Sequence, residues 1–104
     1  MEAPGSYSKG TEVIGYCDLE DRPAFKMAIR EVEGQWYLYT GHFWHPGWSI
    51  VNVSDPEHPR VERFIEGPDN TFTLQMTLYG DTMVTALEKI FPFLLVSLIV
   101  QTIG

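Results

Sequence analysis

Residues 47–59 read Gly47-Trp48-Ser49-Ile50-Val51-Asn52-Val53-Ser54-Asp55-Pro56-Glu57-His58-Pro59, and their chemistry dictates a strand that leaves through a rigid turn. Trp48, Ile50, Val51 and Val53 favour the pleated, half-buried surface of a sheet. At Ser54-Asp55-Pro56 the run stops, because Asp bonds its own downstream backbone and Pro has no N–H for a ladder. Pro59 repeats the signal. Residues 60–65 (Arg-Val-Glu-Arg-Phe-Ile) supply the next β-rich run, so a meander corner is predicted here.

Working outward, residues 24–32 alternate, with Phe25, Met27 and Ile29 on one face and Lys26, Ala28 and Arg30 on the other. That pattern predicts a strand with one wet face. Glu33-Gly34 supplies a turn and residues 36–40 (Trp-Tyr-Leu-Tyr-Thr) an aromatic partner strand, so 25–40 is read as a hairpin. After the turn cluster at 66–70 the arrangement recurs. Phe72, Leu74 and Met76 alternate with threonines and Gln75, Gly80-Asp81 makes a turn, and 82–87 is a partner strand. Phe25 to Phe72, Met27 to Leu74 and Ile29 to Met76 are each offset by 47, and Gly34 to Gly80 by 46. A period of this length with about four strands per unit is the signature of a propeller blade or a related β-repeat.

The motif residues Trp48, Ile50, Val51, Asn52, Val53, Ser54, Asp55, Pro56 and Pro59 resemble the LVIVD-repeat family, most closely over 50–59. Units of that family carry an aliphatic strand, an Asp and a Ser-Asp-Pro-x-x-Pro-like turn, and are thought to build β-propellers. Trp48 stands where a Leu is usual, Ser49 where an aliphatic is usual, and Asn52 where the motif has Asp. Asn keeps the polar, turn-competent character of that position. The resemblance implies an all-β chain, an antiparallel meander of about two propeller-blade-like repeats. The expected organisation is a loose N-terminal arm (1–19), a first unit (20–66), a partial second unit (67–89) and an apolar tail (90–104). Residues 11–16 of the arm are also read as a short edge strand.

Residues 90–103 carry ten large apolar side chains in fourteen and no charge. No repeat pattern is legible there. The run falls short of the roughly 20 apolar residues of a membrane-spanning helix. It reads as a buried strand or short helix covering the open side of the sheet, with a membrane-associating tail as the rival. A closed propeller needs about four to eight blades, more than 104 residues hold at this period, so open faces and self-association are expected.

With 7 basic against 14 acidic side chains and a net charge of −7, the chain lacks the clustered Lys and Arg of a phosphate-tracking surface, which excludes nucleic acid as partner. Cys17 is the one cysteine, so no intrachain disulfide forms. The N-terminus shows no signal-peptide pattern, and a cytoplasmic location is the default expectation. Asn52-Val53-Ser54 matches the glycosylation sequon only formally.

Among groups able to carry chemistry, His42-x-x-His45 is the candidate metal pair, but zinc requires three or four ligands, and only His58, Cys17 or distant carboxylates remain to complete it. No cofactor is expected. Trp36, Tyr37, Tyr39, Phe43, Trp44 and Trp48 form an aromatic group read as core rather than as a stacking platform. Glu57 and His58 resemble half of an acid/base pair without a nucleophile. The sequence therefore predicts a scaffold or interaction module whose partner is another protein or a second copy. The alternative is a fragment of a larger propeller enzyme or ligand-binding propeller that uses His42 and His45.

Overall fold

The stretch 47–59 folds as its residues dictate, into a fully buried strand and an exposed turn. The computed structural model describes residues 10–73, 75–89 and 95–102. Among these, the strands are β1 (Ala24–Val32), β2 (Gln35–His42), β3 (Gly47–Asn52), β4 (Arg60–Glu66), β5 (Thr71–Phe72), β6 (Met76–Tyr79), β7 (Thr82–Lys89) and β8 (Leu95–Thr102), with a 3₁₀ turn at Leu19–Asp21. Every pairing is antiparallel. The chain is an all-β meander in two sheets. Sheet A runs β1-β2-β3-β4 in sequence order; in sheet B, β7 pairs with β5 and β6 along one side and with β8 along the other.

The two sheets repeat one another in register. Adding 47 to each residue of the first hairpin's ladder gives the second's. Val32↔Gln35 becomes Tyr79↔Thr82, Ile29↔Leu38 becomes Met76↔Thr85, and Ala24↔His42 becomes Thr71↔Lys89. The register shift of one residue between Ala24 and Met27 is matched by the flanking pairs Phe72↔Glu88 and Met76↔Thr85. The turns match at the same offset, although glycine changes place. Glu33 (φ 51°) and Gly34 (φ 82°) are both left-handed, whereas in the second turn Gly80 (φ 57°) alone is. These are the two primed turns that suit the twist of a hairpin. The glycine-to-glycine spacing of 46 thus arises from different slots of equivalent turns.

Alternation and register assign the faces. Ala28, Arg30, Tyr37, Tyr39, Trp48, Ile50 and Ile65 share the inner face of sheet A. Buried Tyr39, Trp48 and Ile50 pack with Met76 and Met83 of sheet B, and Ala28, Tyr37, Ile65, Leu78 and Leu87 border that cluster. Arg30 clamps the layers, donating from Nε to the Tyr39 hydroxyl at 2.9 Å and from Nη1 to the Gly80 carbonyl at 2.6 Å.

This face assignment corrects the sequence expectation for β1. Met27 and Ile29 point away from the core, and Ala28 and Arg30, expected on the wet face, point into it. Phe25 lies in the bulge and packs on Phe43 instead. Residues 11–16 form no strand; the segment runs past the exit turn, with Gly15 against the Pro56 carbonyl and Pro59. The apolar run contributes β8, a strand rather than a helix, and among the described residues no helix is long and apolar enough to cross a membrane. Residues 1–9 of the arm, 90–94 and 103–104 of the run, and Leu74 of the expected alternation lie outside the described residues.

Candidate functional site

His42 ends β2 on the outer face of sheet A, beside Ser49 of β3. It is fully buried. Its Nδ1 lies 3.0 Å from the Pro23 carbonyl oxygen and its Nε2 2.7 Å from Ser49 Oγ. A carbonyl only accepts, so Nδ1 carries the proton and Nε2 accepts from the serine hydroxyl. Burial drives the imidazole pKa below its ordinary 6.5, and the nearby charges of Arg22 and His45 act in the same direction against the hydrogen bond to Pro23. The ring is neutral with both nitrogens engaged. Ser49 is likewise fully buried, so the Ser–His geometry offers no route for an acyl substrate. It is a polar tie between strands.

His45 does not join it. Its side chain is exposed at a separate hollow lined by Glu20, Arg22, Phe64, Glu66 and Asp69. There Arg22 lies over the Phe64 ring at 3.7 Å and pairs with Glu20 at 2.9 Å. Among the described residues, no three His, Cys, Asp or Glu side chains gather as a metal site. Of the pair expected from the sequence, His42 has both ring nitrogens engaged, and His45 acts on it through its charge. His42 belongs to the sheet and His45 to the loop.

The motif residues build the exit turn rather than a catalytic constellation. Trp48, Ile50, Val51 and Asn52 are buried. Asn52 Oδ1 accepts from the Ser54 backbone N–H at 2.9 Å, while its Nδ2 donates to Glu62 Oε1 at 3.1 Å and to Gln35 Oε1 at 3.4 Å. Ser54 Oγ accepts from the Trp36 N–H at 2.8 Å and donates to Gln35 at 3.0 Å. Val53 returns a backbone bond to the Trp36 carbonyl. Asp55 closes the turn through Glu57 N–H at 3.1 Å and His58 Nδ1 at 2.9 Å. These contacts hold the Asp55 carboxyl below its usual range, the His58 bond first among them. Glu57 and His58 are both exposed, and His58 is committed to Asp55.

The expected aromatic group divides three ways. Tyr39 and Trp48 are core, with Tyr37 at its border. Phe43 and Trp44 join Phe25 and Phe72, the repeat-equivalent pair, in a second cluster; Phe43 stacks on Phe72 at 4.6 Å and Trp44 meets it edge-on at 5.1 Å. Trp36 stands alone on the outer face.

That this face, and not the other, stays open is what sequence reasoning missed. Met27, Ile29 and Trp36 are 45–59% exposed there. Beside them an open groove of about 390 Å³ lies between sheet and arm, lined by Val13, Ile14, Leu19, Leu38, Val51 and Val53 among others. The arm is held at this face by Arg22 on Phe64 and by the turn at Leu19–Asp21, whose three residues all take left-handed φ values of 56–65°. Exposed large apolar side chains grouped on one sheet face mark interaction sites more often than isolated ones do. The chain matches no family model, no curated protein and no solved structure. The surface itself therefore carries the functional argument.

Proposed function

We propose that the chain is a non-catalytic interaction module of LVIVD-repeat type, two blade-like units whose work is to bind through the outer face of sheet A. The carrying observation is a contrast between equivalent positions. Met76 and Met83 are buried against a neighbouring sheet, whereas Ile29 and Trp36, which occupy the same places one unit earlier, face outward. The 47-residue repeat of register and the Ser54-Asp55-Pro56 exit turn support the blade-like reading. The rival, a metal- or ligand-binding propeller fragment using His42 and His45, draws no support from a buried, doubly bonded His42.

Replacing Ile29 by Glu tests the assignment. An interaction surface predicts a folded chain with nearly unchanged thermal melting, since surface changes usually fall within about 0.5 kcal/mol, and reduced binding of the apolar-surface dye anilinonaphthalene sulfonate. Unfolding of Ile29→Glu would show that the position is core and remove the proposal.

A further inference from the structure

The internal interface has two unlike sides, and the register positions of each recur elsewhere on the molecule. Within the chain, the inner face of sheet A meets the face of sheet B that carries Met76, Met83 and Thr85. Under the 47-residue offset, that second face is equivalent to Ile29, Trp36 and Leu38, the open face of sheet A. The β8 ladder extends the equivalence with an offset of 48 on the third strand, so that Tyr39↔Ile50 becomes Ala86↔Leu98 and Gly41↔Trp48 becomes Glu88↔Val96. The far side of sheet B therefore holds the register positions that, in sheet A, form the inner face. Tyr79, on that side, is 84% exposed.

We infer that a second copy of this chain docks head to tail, its far sheet B face seated on the Met27–Ile29–Trp36 face of sheet A, repeating the internal interface between molecules. This rests on the interaction-face reading above and names its partner. The bulk of the two surfaces is complementary. Internally, large Tyr39 and Trp48 meet flexible methionines; between copies, small Ala86 holds the register position of Tyr39 while the larger Trp36 replaces Met83. The internal contacts are not all repeated: on the receiving face the exposed Glu31, opposite Trp36, takes the place of Leu78. Thr77 stands in the place of Arg30, so the clamp to the following turn is lost and the intermolecular contact is the weaker of the two. Such a contact is heterologous and propagates, closing a ring or extending a stack.

The test uses full-length chains carrying Ile29→Glu or Ala86→Glu, each checked for folding by circular dichroism, in sedimentation velocity. Wild type is expected to associate in a concentration-dependent manner beyond the dimer. Each variant alone should associate at least tenfold more weakly, and an equimolar mixture should form a capped one-to-one dimer, because each variant retains the face the other lacks. Loss of association in only one variant points to a symmetric contact and overturns the proposal, as does a mixture that stays monomeric. Should Ala86→Glu unfold the chain, Ile29→Cys with Ala86→Cys in a Cys17→Ser background replaces the mixing experiment. Disulfide ladders under oxidation are expected from the double variant and from neither single one, and the reverse overturns the proposal. A monomeric wild type whose dye binding still falls on Ile29→Glu would overturn the second copy as partner but leave the interaction face standing. A monomer insensitive to Ile29→Glu would remove both.

Discussion

His42 shows how one buried side chain makes stability depend on pH. In the unfolded chain its imidazole takes a proton near 6.5, while burial in the folded chain holds the pKa lower. Above 6.5 neither state binds the proton and the group is silent. As pH falls through 6.5 only the unfolded chain takes it up, so stability declines until the folded pKa is reached. Asp55 and Glu62, both held below the ordinary carboxylate range, act in the same direction only as pH approaches their unfolded values, so the window above pH 6 reports on His42. Thermal melting is expected to fall progressively between pH 7.5 and 6. In His42→Gln, which lowers stability at every pH by disturbing the Pro23 and Ser49 bonds, this slope should disappear. An unchanged slope in the variant would place the proton uptake on another group.

The exit turn and the hairpins differ in how much of them the residues announced. The strand at 47–52, its stop at Ser54-Asp55-Pro56 and both hairpins were legible, because alternation and turn chemistry are local. Which face of β1 is covered was not. A stacked sheet is apolar on both sides, and alternation separates two faces without saying which meets a neighbour, so small Ala28 and clamping Arg30 won the core over Met27 and Ile29. The third strand of sheet B was hidden for a related reason: an unbroken apolar run has no period to read, and its offset shifts from 47 to 48. Nor could spacing reveal that Asn52 acts in two directions. Its oxygen supports the turn as an Asp would, but its amide also donates to Glu62. Asn52→Asp would set a second carboxylate against Glu62 and leave a buried position without its donor, a loss of about 1–3 kcal/mol. Chemical denaturation should show that loss at pH 7, with Glu62→Gln restoring much of it by supplying an amide donor. If Glu62→Gln restores nothing, the Asn52–Glu62 bond is not what the substitution disturbs.

Taken as a whole, the molecule carries a net charge of −7, and this decides how its association should respond to salt. Two copies approaching through apolar faces repel one another through charges lying mostly around those faces. That repulsion reaches about 10 Å at 0.1 M salt and about 3 Å at 1 M. The apolar contact between Trp36 and the far face of sheet B is not weakened by ordinary salt and is strengthened by sulfate. Head-to-tail association is therefore expected to tighten several-fold as sodium chloride rises from about 0.05 to 0.5 M, within the range over which screening acts, and further in ammonium sulfate. The internal interface, covalently tied and already closed, should respond much less, so thermal melting of Ile29→Glu would change little over the same range. Association that weakens with salt would mean that ion pairs hold the copies together. The apolar face of sheet A would then not be the main source of their contact, since its exposed centre of Met27, Ile29 and Trp36 has one charge beside it, that of Glu31 opposite Trp36.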